Sequence, residues 1–372
     1  MTDIVALLEP IIDRIIAPQA VLTDQQSQFP RTAIDALAAS GLLGLTTAKD
    51  HGGMGYGLNE AAFVIEKIAT HCASTAMVVT MHYAANAVIE QFGSDKLRSE
   101  VAAGRHLSTL AWSESGSRSH FWAPVGTAEK VADGYRLNCT KTMVTSAGEV
   151  DSYIWSSRPA QVEGASSLWL VDAQADGLTI TKTYDGLGLR GNASAPMRSE
   201  GLIVPQSALL GTDGGGFDIM INTVLPVFAV LNASCSIGIM EGALAGAIKH
   251  VSGNKLQHLE SSLADLPTVR AYLAKARIRT DQARTLRDDT VVALGIGRAD
   301  AMLRVMEVKA SAADAALEVT DAAMRVCGGA AFRKDLGIER QFRDARAAAI
   351  MAPTSDLLYD FIGKAICGLP VF

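Results

Sequence analysis

Asp133-Gly134-Tyr135-Arg136-Leu137-Asn138-Cys139 reads as a turn that opens a strand: an Asp-Gly pair, then apolar and polar residues in alternation. Ser166-Ser167-Leu168-Trp169-Leu170-Val171 is a second short run of the same kind. Both fall between about Leu107 and Leu210, a stretch of short runs separated by turn residues, the pattern of a small, mainly antiparallel β domain. The flanks follow a different period. Ile34, Leu37 and Leu42, and again Phe63, Ile65 and Ile68, recur at roughly helical spacing, so the chain before about Gly104 is helical. The loop Asp50-His51-Gly52-Gly53-Met54-Gly55-Tyr56-Gly57 interrupts two of those helices. From Asp218 onward the sequence is Ala-rich and helical, with few breakers before Gly328-Gly329. Helices, strands and helices again predict an α+β fold: an N-terminal α-helical domain over 1–106, a middle β domain over 107–210 and a C-terminal α-helical bundle over 211–372.

Composition narrows the function. The 372 residues exceed what one hydrophobic core organises, and 49% of them are hydrophobic, enough for a large interior. A formal charge of −6, with Lys and Arg dispersed, excludes the basic face that nucleic acid or an anionic membrane surface requires. Cys72, Cys139, Cys235, Cys327 and Cys367 are far apart and form no CxxC or His/Cys cluster, so neither a metal site nor a disulfide framework is expected. They read as thiols of a reducing compartment. No signal peptide is expected from Met1-Thr2-Asp3-Ile4, and no membrane span is expected along the chain. The expected location is cytoplasmic.

The order of motifs along nearly the whole chain resembles the acyl-CoA dehydrogenase superfamily. Phe29-Pro30, Gly41-Leu42-Leu43-Gly44-Leu45, His51-Gly52-Gly53-Met54-Gly55 and Glu66 are similar to that family's first helical domain. Trp112-Ser113-Glu114 is similar to its Thr-Glu segment, and Lys141-Thr142-Met143-Val144-Thr145-Ser146 to its flavin-facing strand. Gly186-Leu187-Gly188-Leu189-Arg190-Gly191 and Val204-Pro205 resemble the exit from the β domain. Cys327-Gly328-Gly329, Glu339-Arg340 and Arg343-Asp344-Ala345 continue the series. The resemblance implies a β domain between two helical domains, FAD at the junction of the β domain and the C-terminal helices, and a homotetramer in which a neighbouring subunit completes the cofactor site.

By family position, Trp112, Ser113, Met143 and Thr145 are implied to line the flavin ring, since a protein tunes such a ring with a flat apolar face and donors at its polar edge. The bland reading of the same four is ordinary strand alternation. Ser119 stands in the family's Gly-Ser-Asp segment, here Arg118-Ser119-His120. Gly328 and Gly329 suit close approach of backbone to a pyrophosphate, or simply break a helix. Arg325, one turn earlier, suits a phosphate or an exposed ion pair. Thr354 matches a flavin-contacting threonine or caps a helix. His82 resembles an active-site histidine of the related flavin monooxygenases, or is a core histidine satisfied by backbone.

The departures bear on the reaction. In the family a carboxylate takes the α-proton of a thioester; Ala352 stands in its usual place and Phe228 in the other place some members use. Asp356, four residues on, is the candidate replacement, with a dipole-favoured helix start as its other reading. The family's Arg-x-x-Phe-Gly segment aligns with Lys255-Leu256-Gln257-His258-Leu259-Glu260, which thins the adenine-end contacts and leaves FMN beside FAD as the cofactor. Three readings stay open: a dehydrogenase of an acyl-CoA or related small substrate, working with an electron-transfer partner; a two-component monooxygenase fed by a flavin reductase; and a non-catalytic relative that binds flavin or acyl-CoA.

Overall fold

The turn at Asp133-Gly134 opens β3 (Gly134–Val144), whose side chains alternate as the sequence predicts: Tyr135, Leu137 and Cys139 are buried while Arg136, Asn138 and Thr140 are exposed. Gly134 has φ +148°, and a Cβ there would sit 2.0 Å from the Val204 carbonyl oxygen, so only glycine fits this turn. The computed structural model describes residues 2–117, 119–183, 185–256 and 261–371.

β3 pairs antiparallel with β2 (Thr127–Val131) and with β7 (Ala195–Val204), and β6 (Leu178–Ile180) lies at the edge, in the order β2-β3-β7-β6. A second four-stranded sheet has the order β1-β4-β5-β8, from β1 (Ser108–Ala111), β4 (Ser152–Ser157), β5 (Ser167–Asp172) and β8 (Leu209–Leu210). One feature departs from the antiparallel expectation: β1 and β4 are parallel. The β2–β3 hairpin between them belongs to the other sheet, and so long a crossover returns the chain in its original direction. Tyr135 of β3 and Trp169 of β5 meet between the sheets, ring centroids 4.6 Å apart.

Among the described residues, six α-helices precede the strands: α1 (Thr2–Ile11), α2 (Ala17–Gln25), α3 (Arg31–Ala39), α4 (Leu58–His71), α5 (Ala73–Phe92) and α6 (Asp95–Ala102). α5 packs on β1 and is buried over nearly its whole length, which accounts for its weak amphipathicity. After the strands come α7 (Gly216–Asp218), α8 (Leu225–Gly253), a small hairpin of β9 (Lys255–Leu256) and β10 (Ser261–Ser262), α9 (Pro267–Gly295), α10 (Ala301–Cys327), α11 (Ile338–Asp344), α12 (Arg346–Ile350) and α13 (Ser355–Ile366).

Small side chains let these helices approach closely: Ala310, Ala312, Ala313, Ala315 and Ala316 of α10 are all buried. An ionic cluster ties α4, α8 and α9 together. Arg287 and Arg284 reach Glu66 at 2.8 and 3.0 Å, and Arg277 reaches Glu241 at 2.7 Å. The Arg277 hydrogen bonds hold the Glu241 carboxyl down to about 2. The expectation that no segment is apolar enough to cross a membrane needs correction. The helical run Gly216–Gly253 has that length and composition, because Ile219–Met240 carries no charge. It is 89% buried over its most apolar stretch and forms the protein's own core. The five cysteines are free thiols, all buried except Cys367.

Candidate active site

A cavity of about 780 Å³ opens where the strands meet α8, α12 and α13. Trp112 and Ser113, just beyond β1, form its strand-side wall with Thr142, Met143 and Thr145 at and beyond the end of β3. The two segments are stitched by Thr142, whose N–H donates to the Ser113 carbonyl at 2.9 Å. A register irregularity between Lys141 and Val144 lets both Thr142 and Met143 face the cavity, where strict alternation would allow one.

A buried ion pair underlies this wall. Glu114 follows Ser113 and Lys141 precedes Thr142; their side chains are 1% and 0% exposed and meet at 2.6 Å. Glu114 also accepts from the N–H groups of Val125 and Gly126, at 2.7 and 2.9 Å. Lys141 also donates to the carbonyl and hydroxyl of Ser156, at 2.7 and 2.8 Å. Each charge is thus fully hydrogen-bonded, the condition under which a buried pair is tolerated.

The opposite wall is the link between α12 and α13, Ile350 to Thr354, continued by Asp356, Leu357 and Asp360. Thr354 lines the cavity, and its hydroxyl caps α13 by accepting from Leu357 N–H at 3.4 Å. Its own N–H donates to the Ser119 hydroxyl at 2.8 Å, joining the Ser119–Phe121 loop to this wall. Val224, Leu225 and Phe228 supply the apolar end.

The chain matches the acyl-CoA dehydrogenase N-terminal domain over residues 3–104, the middle domain over 109–202 and the C-terminal domain over 214–367. It belongs to the acyl-CoA dehydrogenase superfamily. Cyclohex-1-ene-1-carbonyl-CoA dehydrogenase of Geobacter metallireducens is 28% identical, over 97% of this chain and 96% of that protein. The butyryl-CoA dehydrogenase structure from Megasphaera elsdenii superposes with a TM-score of 0.92 at 23% identity, covering 98% of this chain and 97% of the other. The structure of PigA with FAD and proline gives a TM-score of 0.90 at 19% identity, with 98% and 97% covered.

Set on this acyl-CoA dehydrogenase fold, the expected site residues separate into groups. Trp112, Ser113, Ser119, Met143, Thr145, Thr354 and Asp356 converge on the one cavity. Arg325, Gly328 and Gly329 lie outside it. Arg325 pairs with Asp321 at 2.7 Å on the surface, and Gly328, at φ +55°, ends α10. A Cβ on either glycine would meet nothing within 4 Å, so no contact within the chain demands them. His82 is also outside, and its catalytic reading is corrected: it is fully buried, with Nδ1 accepting from Ser108 N–H at 3.2 Å. The proton therefore sits on Nε2, which donates to the Leu43 carbonyl at 3.1 Å. Burial pulls its pKa down to about 4. His82 is a neutral tie between the Leu42–Gly44 turn and β1; its neighbour Met81 lines the cavity instead. Of the segment from Lys255 to Glu260, residues 257–260 lie outside the described residues, as does Arg118.

Ala352 and Phe228, the two positions that the resemblance assigns to the base, both line the cavity as apolar side chains. Among the described lining residues the carboxylates are Asp356 and Asp360. Asp360 pairs with Lys364 at 2.7 Å, and Asp356 stands exposed in the first turn of α13.

The role of the Arg-Asp-Ala motif emerges only in three dimensions. Asp344 of the Arg-Asp-Ala motif accepts from Leu189 N–H at 2.7 Å, and Arg343 reaches the Leu187 carbonyl at 2.9 Å and Asp24 at 2.6 Å. Gly188 and Leu189 are cavity floor, so the motif pins that floor. Lys309, behind the α12–α13 link, carries one signal in the sequence: it is a lone lysine among Val305, Val308, Ala312 and Ala313 on the buried face of α10.

The cavity also suits a flavin. It lies within the ~300–1,000 Å³ range of cofactor and ligand pockets and is chiefly apolar with a few convergent polar groups. The indole Nε1 of Trp112, which stacks on Phe121 at 5.8 Å, is buried with no hydrogen-bond partner among the described residues. A buried donor left unpaired in a cavity wall is a group that a bound ligand would satisfy.

Proposed function

We propose that this chain is a flavin-dependent oxidoreductase acting on an acyl thioester or a related small activated acid. The observation that carries the reading is the convergence of Trp112, Ser113, Met143, Thr145 and Thr354 on one chiefly apolar cavity that also holds Asp356. The fold and the acyl-CoA dehydrogenase relatives support it.

When bound, the flavin supplies a two-electron acceptor for hydride. Trp112, Ser113, Met143 and Thr145 would hold its ring on the strand side of the cavity, with Ser119 and Thr354 available to it from the loop and the α13 cap. Met81, Phe228 and Leu357 add apolar surface to the cavity and would help exclude water from a bound substrate. Asp356 takes the α-proton on a carboxylate oxygen, the role for which Ala352 and Phe228 have no group. Arg325, Gly328 and Gly329 serve the adenine end of FAD bound to a neighbouring copy in a homotetramer, which explains their distance from the cavity of their own chain. This role calls for an electron-transfer partner to reoxidise the enzyme after each turnover.

Anaerobic addition of short- and medium-chain acyl-CoAs tests this. Bleaching of the visible flavin band is expected, with a rate that falls by at least 100-fold in Asp356→Asn, as for the loss of a general base. Full-speed bleaching in the variant removes Asp356 from the role. Release and mass measurement of the bound flavin separates FAD from FMN. A second reading, a reduced-flavin monooxygenase, is favoured by the apolar side chains at both base positions. It predicts no bleaching by acyl-CoAs and oxygen uptake only with supplied reduced flavin and substrate. A protein that binds flavin and does neither is the non-catalytic relative.

A further inference from the structure

We propose that Lys309 is a positioning residue that fixes the helix-side wall of the cavity from behind and so sets the affinity for the flavin ring; this rests on reading the cavity as the flavin site. Lys309 is fully buried, and its Nζ donates to three backbone carbonyls: Ala348 at 2.9 Å, Met351 at 3.0 Å and Pro353 at 2.8 Å. Those oxygens span the end of α12 and the link to α13, the stretch that supplies Ile350, Met351, Ala352, Pro353 and Thr354 to the cavity.

Two physical arguments make this more than ordinary packing. A helix end leaves its last carbonyls without intrahelical partners, and a link of this kind has none of its own to offer. One ammonium has three N–H donors, matching the three orphan oxygens, and the negative end of the α12 dipole favours a cation there. The arrangement is also costly: no carboxylate is within ion-pair distance of Lys309 among the described residues, so in its protonated form it is a buried charge balanced by carbonyl dipoles alone. An apolar residue would bury as well in the Ala- and Val-rich face of α10 but would leave the wall free to shift. The side chains of the link face the cavity while its carbonyls are held from α10, so wall shape depends on one side chain that touches no ligand.

Lys309→Met keeps the length and removes the donors. Hydrogen exchange on the intact protein is expected to quicken by about ten-fold or more in residues 347–354, the cost of an unsatisfied buried acceptor expressed as an equilibrium constant, while protection in α8 and the rest of α10 is retained. The flavin dissociation constant is expected to rise by a similar factor, with a shifted visible spectrum for the bound fraction. Lys309→Gln, which keeps two donors, is expected to recover part of both, and serves if the methionine variant does not fold. Wild-type exchange in 347–354, or unchanged flavin affinity, in a folded variant overturns the proposal. Exchange that quickens evenly across α8 and α10 overturns it too, since Lys309 would then be a general stabiliser. If the wild-type chain takes up no flavin, the functional reading fails by itself, and the exchange data alone decide whether Lys309 holds the wall.

Discussion

The two walls of the cavity each rest on a fully buried lysine, and the two lysines are held in different ways. On the strand side, Lys141 is paired with Glu114 at 2.6 Å, and both ions are saturated by backbone and hydroxyl groups. On the helix side, Lys309 has three carbonyls and no carboxylate, and burial pulls its pKa down to about 7. A sheet already has its ladder of hydrogen bonds, so the strand-side pair locks two segments in register. The link between α12 and α13 has no ladder, and its lysine supplies the missing donors. The contrast teaches that a rigid wall can be built either by adding a charge pair to regular structure or by giving irregular backbone a single polyvalent donor.

The largest effect expected from breaking this comparison is at the ion pair. Lys141→Met leaves Glu114 as an unpaired buried charge and should destabilise the protein by about 3–5 kcal/mol in chemical denaturation. The double variant Glu114→Gln, Lys141→Met should lose clearly less. Equal losses in the two variants would show that the pair is no different from the helix-side clasp.

The next effect sharpens the strand side. His82 holds the start of β1, and its pKa of about 4 in the fold lies below the ~6.5 of an unfolded histidine. Between those values the unfolded chain binds more protons, so stability should fall as pH drops from 6.5 to 4, by about 3 kcal/mol from this residue. Subtracting the pH profile of His82→Gln from that of the wild type isolates the term. A flat difference would mean that His82 takes up a proton in the fold.

The smallest expected effect is on the helix side. Thr354→Ala removes the α13 cap and should cost about 1 kcal/mol. Its flavin affinity should change more than this modest stability loss suggests, because the Thr354 hydroxyl also accepts from the Ser119 hydroxyl at 3.3 Å. A stability loss with unaltered flavin affinity would leave Thr354 as a cap alone.

Much of the fold was readable from period and turn chemistry. The Asp133-Gly134 turn, the alternation after Tyr135 and the helical spacing of Ile34 and Leu37 are local properties, and the structure places strands and helices there. The parallel pairing of β1 with β4 was not readable, since it depends on where an intervening hairpin goes. Within the site, Trp112, Ser113, Met143 and Thr145 were legible because they sit on regular strands or next to them. His82 was not, because a histidine's role depends on whether backbone groups from Leu43 and Ser108 already occupy both ring nitrogens.

What the amino-acid sequence determined by itself was the order of helices, strands and helices, the motif series of its family, and the apolar identity of Ala352. These follow from local propensity and residue identity, which need no knowledge of distant contacts. What the tertiary structure alone decided was which residues share the cavity and which polar groups are already satisfied. Glu114 and Lys141 are 27 residues apart, and Lys309 lies about 40 residues from the carbonyls it holds. A hydrogen bond over that sequence distance exists only because packing brings its ends together, and no period or motif in the chain records it.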